Sequence, residues 1–364
     1  MSKKSTSGKE GLIIAEIPLA GKVTAYFITA RMTEVDMPKA FEQIVAEVQK
    51  RNAQIAFQFF FGGRRFYPQI VSAMPQMDWP LTLLQGDACN GEDITGTQVI
   101  AISGAALHPI MDGERKAGCW FETSDAHYCL LGDLRADDLS QSGEEQAYAV
   151  FEKMESLLGQ ADMLFTNVAR TWIYLKDLLT WYDEFNVVRT RFFNERGIFG
   201  KMVPASTGIG AGSAAGEMMV GALLAVKPKH EKMKICAVPS PLQCPALDYK
   251  SSFSRAVEIK QAESRLLLIS GTASIEPSGA TAHIGDTKQQ ITLTMEVVHE
   301  ILKSREMDWM NVVRGIAYFK DIREVALLQE YCDQEHIPPL PIVVSHSDIC
   351  RHDLLFEIEL DAVN

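Results

Sequence analysis

Two stretches of this 364-residue chain repeat one another at a single spacing of 144 residues. Gln146 matches Gln290, Asn167-Val168 matches Asn311-Val312, and Arg170 matches Arg314. Tyr174 matches Tyr318, and Lys176-Asp177 matches Lys320-Asp321. Identities held at one offset across a helical and a strand-like segment mark a duplicated structural unit, because any insertion inside it would break the phase. Such units stack so that each covers an apolar face it cannot bury alone. An earlier, third pass follows the same order of elements without the identities.

The spacing of apolar residues gives that order. The first pass predicts strands at 12–19 and 23–30, a helix at 39–48, a strand at 55–61 closed by Gly62-Gly63, a short helix, and strands at 79–84 and 97–102. The second predicts a strand at 120–131, a helix at 145–158, a strand at 168–175, a short helix at 179–193, and strands at 204–209 and 218–226. The third predicts strands at 253–259 and 266–275, helices at 290–302 and 325–332 around a strand at 312–319, then strands at 341–344 and 349–360. The expected class is α+β. Tandem units, each a mixed sheet covered by helices, close as a pseudo-trimer in one chain with clefts between them. The expected boundaries are 1–115, 116–230 and 231–364, the molecule being either a monomeric pseudo-trimer or a homo-oligomer.

The last stretch, from Ile349-Cys350-Arg351 to Glu357-Ile358-Glu359-Leu360, concentrates reactive groups. As a half-buried strand it sends Phe356, Ile358 and Leu360 to the core, and Glu357 and Glu359 together to the other face. Glu357 is the candidate acid. His346, Asp348, Cys350 and His352 alternate along the same stretch, but side chains two residues apart run parallel and do not converge on one ion. No metal and no cofactor is expected.

Other patterns exclude function classes. The glycine-rich run Gly208–Gly216 lacks the dinucleotide spacing and precedes a strand-like run, so it reads as a turn between strands. A formal charge of −12 and a pI near 5.2 oppose a general grip on phosphate, so Phe59–Phe61 beside Arg64 and Arg65 read as buried strand and no nucleic-acid partner is expected. The apolar runs fall short of the roughly 20 residues a membrane helix needs. The polar start has no signal-peptide apolar core. Seven cysteines without a C-x-x-C pair suit free thiols in a reducing compartment, so the expected location is cytoplasmic, with no membrane partner.

The third pass, from Ser252-Phe253-Ser254-Arg255-Ala256 to Glu357-Ile358-Glu359, resembles the reactive-intermediate deaminase (YjgF-like) superfamily. From about residue 80 onward the chain resembles a narrower family, the chorismatases. The matching segments are Gly86-Asp87-Ala88-Cys89, Arg170-Thr171-Trp172-Ile173-Tyr174, Phe185-Asn186-Val187-Val188-Arg189, and Pro204-Ala205 ahead of Thr207-Gly208. They continue in Phe253-Ser254-Arg255-Ala256, Ser270-Gly271-Thr272-Ala273-Ser274-Ile275, His283-Ile284-Gly285-Asp286, and Cys350-Arg351 ahead of Leu354-Leu355 and Glu357. The resemblance implies an enzyme whose small-molecule substrate is chorismate. It would release the enolpyruvyl side chain as pyruvate and leave a hydroxybenzoate or a dihydroxycyclohexadiene carboxylate.

That chemistry gives the residues roles. An enol ether is cleaved by protonating its terminal methylene carbon, which calls for an acid still protonated near neutral pH. Glu357, with a second carboxylate close by, fits. Chorismate carries two carboxylates, and a guanidinium holds a carboxylate through two parallel hydrogen bonds, so Arg170, Arg189 and Arg351 are the candidate clamps. Tyr182 and Tyr249 are candidate pocket aromatics. Cys350 is expected to line the pocket and shape capture of the cation; members of the resembled family that aromatise the ring combine a cysteine here with a glycine in the Ser-Gly-Thr-Ala strand, so Cys350 with Gly271 implies the hydroxybenzoate product. Two rivals remain. An imine deaminase of the parent superfamily would hold its carboxylate with an arginine in a Pro-Ala-Arg-Ser segment, which neither Pro204-Ala205-Ser206-Thr207 nor Pro341-Ile342-Val343-Val344 supplies. A non-enzymatic small-molecule binder would have no use for an acid at Glu357.

Overall fold

The segments Gln54–Gly62, Val168–Leu175 and Val312–Phe319 are apolar almost throughout, and each lies buried inside its own sheet. Strands of that kind need cover on both faces. The computed structural model, which describes residues 3–5, 12–33, 35–62, 66–74, 77–85, 94–213, 216–261 and 264–364, supplies it with helices on one side and the other two units on the other. The Gly86–Cys89 motif and Gly63, Arg64 and Arg65 lie outside the described residues.

The first unit runs β1 (Lys3–Ser5), β2 (Leu12–Pro18), β3 (Thr24–Ala30), α1 (Met37–Lys50), β4 (Gln54–Gly62), α2 (Tyr67–Ala73), β5 (Leu81–Gln85) and β6 (Ile94–Ser103). The second runs β7 (His108–Asp112), β8 (Arg115–Glu122), β9 (Ala126–Leu134), α3 (Gly143–Gly159), β10 (Val168–Leu175), α4 (Tyr182–Glu195), β11 (Ala205–Gly210), β12 (Gly212–Ser213) and β13 (Met219–Pro228). The third runs β14 (Lys234–Val238), β15 (Ala256–Lys260), β16 (Arg265–Ala273), α5 (Thr287–Lys303), β17 (Val312–Phe319), α6 (Ala326–Gln334), β18 (Ile342–His346) and β19 (Phe356–Val363). The sheets are ordered β1-β2-β3-β6-β4-β5-β12, β7-β8-β9-β13-β10-β11 and β14-β15-β16-β19-β17-β18. Apart from β12 the order is the same three times, so topology carries the threefold repeat into the first unit, where the identities have been lost.

Local chemistry sets the helix starts. Ser142 accepts from the Glu145 amide while the Glu145 side chain accepts from the Ser142 amide, a reciprocal cap on α3. Asp286 caps α5 through the Gln289 amide at 3.0 Å. Each sheet packs its outer face on its own helices, giving one hydrophobic cluster per unit. The inner faces meet in a central cluster that includes Phe57, Phe59, Trp172, Tyr174, Ile316 and Tyr318. Arg170, Arg314, Glu359 and Asp361 are buried in that apolar centre. Among the described residues no helix is long and apolar enough to cross a membrane.

Several expectations change. The last strand begins at Phe356, and 349–355 form the loop that leads into it, so Cys350 and Arg351 are loop residues and His346, Asp348, Cys350 and His352 share no strand face. β19 is buried on both faces: Phe356, Ile358 and Leu360 lie under the helices, and Glu357, Glu359 and Asp361 are also out of solvent. Its polar face is interior because a neighbouring unit covers it. The expected strand at 120–131 is a hairpin, β8 and β9. The boundary at 115/116 falls inside the paired β7–β8 hairpin, so the second unit begins before His108. The glycine-rich run is more than a turn, since β12 leaves its own sheet and pairs with β5. The strand expected from 253 starts at Ala256, because Ser254 bridges instead to Ala205 of the second unit.

Removing one partner of a buried ion pair leaves an uncompensated charge. Arg314→Ala is therefore expected to lower the unfolding free energy by about 3–5 kcal/mol, read from urea midpoints. A change under about 1 kcal/mol, the scale of exposed pairs, would mean that the centre is hydrated.

Candidate active site

Between the second and third units the edge of β11 is stitched to β16. The Ser206 amide donates to Ser270 Oγ at 2.9 Å, and the Gly271 amide donates to Thr207 Oγ1 at 3.1 Å. Further along, the Gly210 amide donates to the Asp348 carbonyl at 2.8 Å. Opposite these contacts the register of β16 on β19 slips between Ile269 and Thr272, a bulge of the kind that re-aims neighbouring side chains. A small cavity opens there. Tyr182 and Arg189 reach it from α4, Gly271 from the bulge, Glu357 from β19, and Cys350 and Arg351 from the loop before β19. Tyr249 and Arg255 complete that wall. Past Tyr249 and Arg351 a wider vestibule leads outward between α4 and residues 247–252.

Glu357 is 5% exposed, and its carboxyl makes no hydrogen bond with a described residue. Its room comes from a missing side chain: a Cβ on Gly271 would stand 2.0 Å from Glu357 Oε1. Burial, then the charge of Glu359, pushes its carboxyl up from 4.5 to about 8, against the pull of Arg170 and Arg255. Glu359, two residues on, goes the other way. Burial would raise it as well, but Arg170 and Arg314 outweigh burial and hold it below the ordinary carboxylate range. Its oxygens accept from Arg170 Nη2 at 2.9 Å, Trp172 Nε1 at 2.8 Å and Arg314 Nη2 at 2.5 Å. One face of one strand thus carries a neutral carboxyl and an ionised one.

Arg189 is 2% exposed, and its Nε has no hydrogen-bond partner. Its Nη2 donates to Asn186 Oδ1 at 2.6 Å, and its plane lies near the rings of Phe185 and Phe253. Arg351 donates through Nη1 to the Gly279 carbonyl at 2.8 Å. Neither arginine pairs with a carboxylate of a described residue. A buried guanidinium without a counter-charge is an anion site awaiting its anion.

Arg170 is a correction. It does not line the cavity: its Nη1 donates to the Ile269 carbonyl at 3.1 Å and its Nη2 to Thr207 Oγ1 at 2.6 Å and to Glu359. Its charge is consumed in the centre. Cys350 is pushed up to about 12, by burial first and the Glu357 charge second, so its thiol stays protonated and does not act as a nucleophile near neutral pH. The Tyr182 phenol is raised by burial and then by Cys350. Tyr249 is raised to about 12, mainly by burial, and its ring lies 5.4 Å from the Arg255 guanidinium and 5.5 Å from that of Arg351.

Arg255 was quoted in a sequence motif without a role. The structure puts it in the cavity wall, 5% exposed, with Nε and Nη2 both donating to the Cys244 carbonyl at 3.0 and 2.8 Å. Among the described residues no group of three His, Cys, Asp or Glu side chains is placed to hold a metal ion.

Comparison with known proteins points one way. Residues 106–225 match the family model "Chorismatase FkbO/Hyg5-like, N-terminal", and residues 245–364 match "Endoribonuclease L-PSP". A chorismatase from Streptomyces rapamycinicus is 26% identical over 279 residues, spanning 69% of this chain and 78% of that protein. A 3-hydroxybenzoate synthase from Streptomyces hygroscopicus is 27% identical over 222 residues, spanning 54% of this chain and 63% of that protein. A chorismatase crystal structure superposes with a TM-score of 0.64 at 20% identity, covering 85% of this chain and 92% of that one, a likeness of fold.

A carboxyl whose folded-state value lies above its unfolded one destabilises the fold as pH rises, because the unfolded chain gives up its proton first. Glu357→Gln carries no such penalty. The melting temperature of Glu357→Gln should match wild type below about pH 4.5, gain on it as pH rises, and stop gaining above about pH 8. Parallel melting curves across that window would place an ordinary, hydrated carboxylate at Glu357.

Proposed function

This chain belongs to the chorismatase family, and on that premise we propose that it converts chorismate to pyruvate and a hydroxybenzoate. The observation that carries the reading is one cavity holding both the neutral, unpartnered carboxyl of Glu357 and the unpaired guanidinium of Arg189. Cleaving an enol ether needs a proton donor aimed at the terminal methylene carbon, and binding chorismate needs cations for two carboxylates. The same cleft offers both.

The steps follow. The Glu357 carboxyl gives its proton to the methylene carbon, the double-bond pair forms the new C–H bond, and the ether oxygen shares the resulting positive charge. Water adds to that cation and gives a proton back to the Glu357 carboxylate; the hemiketal then collapses, its bond to the ether oxygen breaking as that oxygen takes the hemiketal proton and stays on the ring as a hydroxyl, and pyruvate is freed. A hydroxybenzoate follows when the ring loses water, so the one water added is balanced by one lost, and the two products together have the composition of chorismate. Arg189 in the depth of the cavity and Arg351 at its mouth would take the two carboxylates. Tyr182 and Tyr249, neutral phenols, would frame the ring. Cys350 and Gly271 leave a small, uncharged wall beside the acid, which supports loss of water and aromatisation over a retained diol. The resemblance to a protein named 3-hydroxybenzoate synthase points to the same product class.

Incubation of the protein with chorismate is expected to give equimolar pyruvate and hydroxybenzoate, read by a coupled pyruvate assay and by mass and ultraviolet spectrum of the ring product. Glu357→Gln should lower the rate by at least about 10²-fold, the scale of a lost general acid, with the fold intact. Arg189→Ala should raise KM. No pyruvate from the wild-type protein, or full rate in Glu357→Gln, would end this reading.

A further inference from the structure

Three arginines face the cavity, and chorismate brings two carboxylates. Arg189 has a buried, partnerless Nε, and Arg351 stands where the cavity meets the vestibule; both have hydrogen-bonding capacity free for an anion. Arg255 differs. Two of its nitrogens are committed to the Cys244 carbonyl, and its plane lies between the rings of Tyr249 and Phe253, at 5.4 and 5.6 Å. It is fixed before any substrate arrives.

Its position is tied to the acid. The Ser270 amide donates to the Arg255 carbonyl at 3.0 Å, and the next residue, Gly271, is the one whose missing side chain admits Glu357. Arg255 and Glu357 therefore enter the cavity from the two sides of one bulge. We propose that Arg255 is the fixed counter-charge to the Glu357 carboxylate that proton transfer creates, and that it takes no part in holding the carboxylates of the substrate. The assignment rests on Glu357 acting as the acid toward chorismate.

The charge balance makes the need plain. When the O–H bond of Glu357 breaks and the methylene carbon takes the proton, a group that entered the step neutral is left fully negative. The groups facing it are Glu359 on its own strand, Arg170 on β10, Tyr182 and Arg189 on α4, Tyr249, Arg255, and Cys350 and Arg351 on the loop. Glu359 repels the new charge; Arg170 attracts it, but from outside the cavity wall and with its guanidinium already hydrogen-bonded to Glu359. Arg189 and Arg351 are matched to the substrate. Arg255 is the cation of the cavity wall that remains. Held by a backbone carbonyl, it stabilises the carboxylate without being free to swing onto it and strip the proton in the resting state, which is how pre-organised charge favours a transition state over a ground state.

Arg255→Met keeps an apolar stem between the two rings and removes the charge. At its pH optimum the variant should lose at least about tenfold in kcat, while KM stays within about threefold. The alkaline limb of kcat, where the acid loses its proton in the enzyme–substrate complex, should move to higher pH, because the carboxylate has lost a cation that favoured it. Arg255→Lys should bring back both the limb and most of the rate. A KM raised tenfold or more with kcat preserved would make Arg255 a substrate clamp and overturn the assignment, as would a limb that does not move. Should Arg255→Met fail to fold, Arg255→Gln, which can still donate to the Cys244 carbonyl, is read in the same way. A wild-type protein that releases no pyruvate from chorismate overturns the activity itself and this assignment with it, a result visible before any variant is made.

Discussion

The carboxylate of Glu359 holds this molecule together at its centre. Arg170 and Trp172 reach it from the second unit and Arg314 from its own, while Arg314 also pairs with Asp361 at 2.8 Å and donates through Nε to Gln98 of the first unit at 2.9 Å. Ions in an apolar core are tolerated only when their partners are complete and well placed. That demand makes closure of the units specific: shifting the second would part Arg170 from Glu359, and shifting the first would take Gln98 from Arg314. The same anion governs the chemistry next door. Fixed two residues from Glu357 on one strand face, it disfavours a second negative charge there. One strand thus carries both the anchor of assembly and the proposed acid.

Threefold repetition creates three equivalent clefts, and their fates diverge. Between the first and second units the place of the catalytic bulge is packed shut: a Cβ on Gly132 would meet Phe57 at 2.2 Å, and the Asp133 amide donates to Thr82 Oγ1 at 2.9 Å. Between the third and first, Gln98 donates to the Gly315 carbonyl at 2.6 Å and Arg31 to the Ile342 carbonyl at 2.8 Å. Side chains seal these two, whereas at the third a glycine faces a glutamate. A trimer of identical chains would carry the same residues in every cleft. Joining the units in one chain let two interfaces become core while the third kept a hole.

The repeat and the period-2 alternation of the last strand were legible from residues alone, since both depend on local spacing. The burial of Glu357 and Glu359 was not, because alternation distinguishes two faces without saying what covers the second. Arg170 misled for a related reason. Its match with Arg314 marks a position that both units use to brace the centre, and a residue type suited to substrate carboxylates is equally suited to Glu359. Cys350 and Arg351 read as strand because apolar residues flank them, although the pairing partner runs out before Phe356. Arg255 could not be assigned because its fate is set by the Cys244 carbonyl and the Tyr249 ring, contacts that no periodicity encodes.

A neutral acid with arginines around it is a contradiction unless those arginines are kept from it. Three separate devices do so. Arg170 is turned onto Glu359, Thr207 and the Ile269 carbonyl; Arg255 is pinned to the Cys244 carbonyl; and Arg189, on a helix of the neighbouring unit, is held by Asn186. Gly271 adds a fourth condition by giving the carboxyl space without a hydrogen-bond donor aimed at it. The arrangement leaves polar capacity unmet, with a buried orphan Nε on both Arg170 and Arg189, and unmet polar groups destabilise a fold. Activity and stability therefore pull against each other here, and the closed centre around Glu359 supplies the rigidity that lets an unsatisfied site persist beside it.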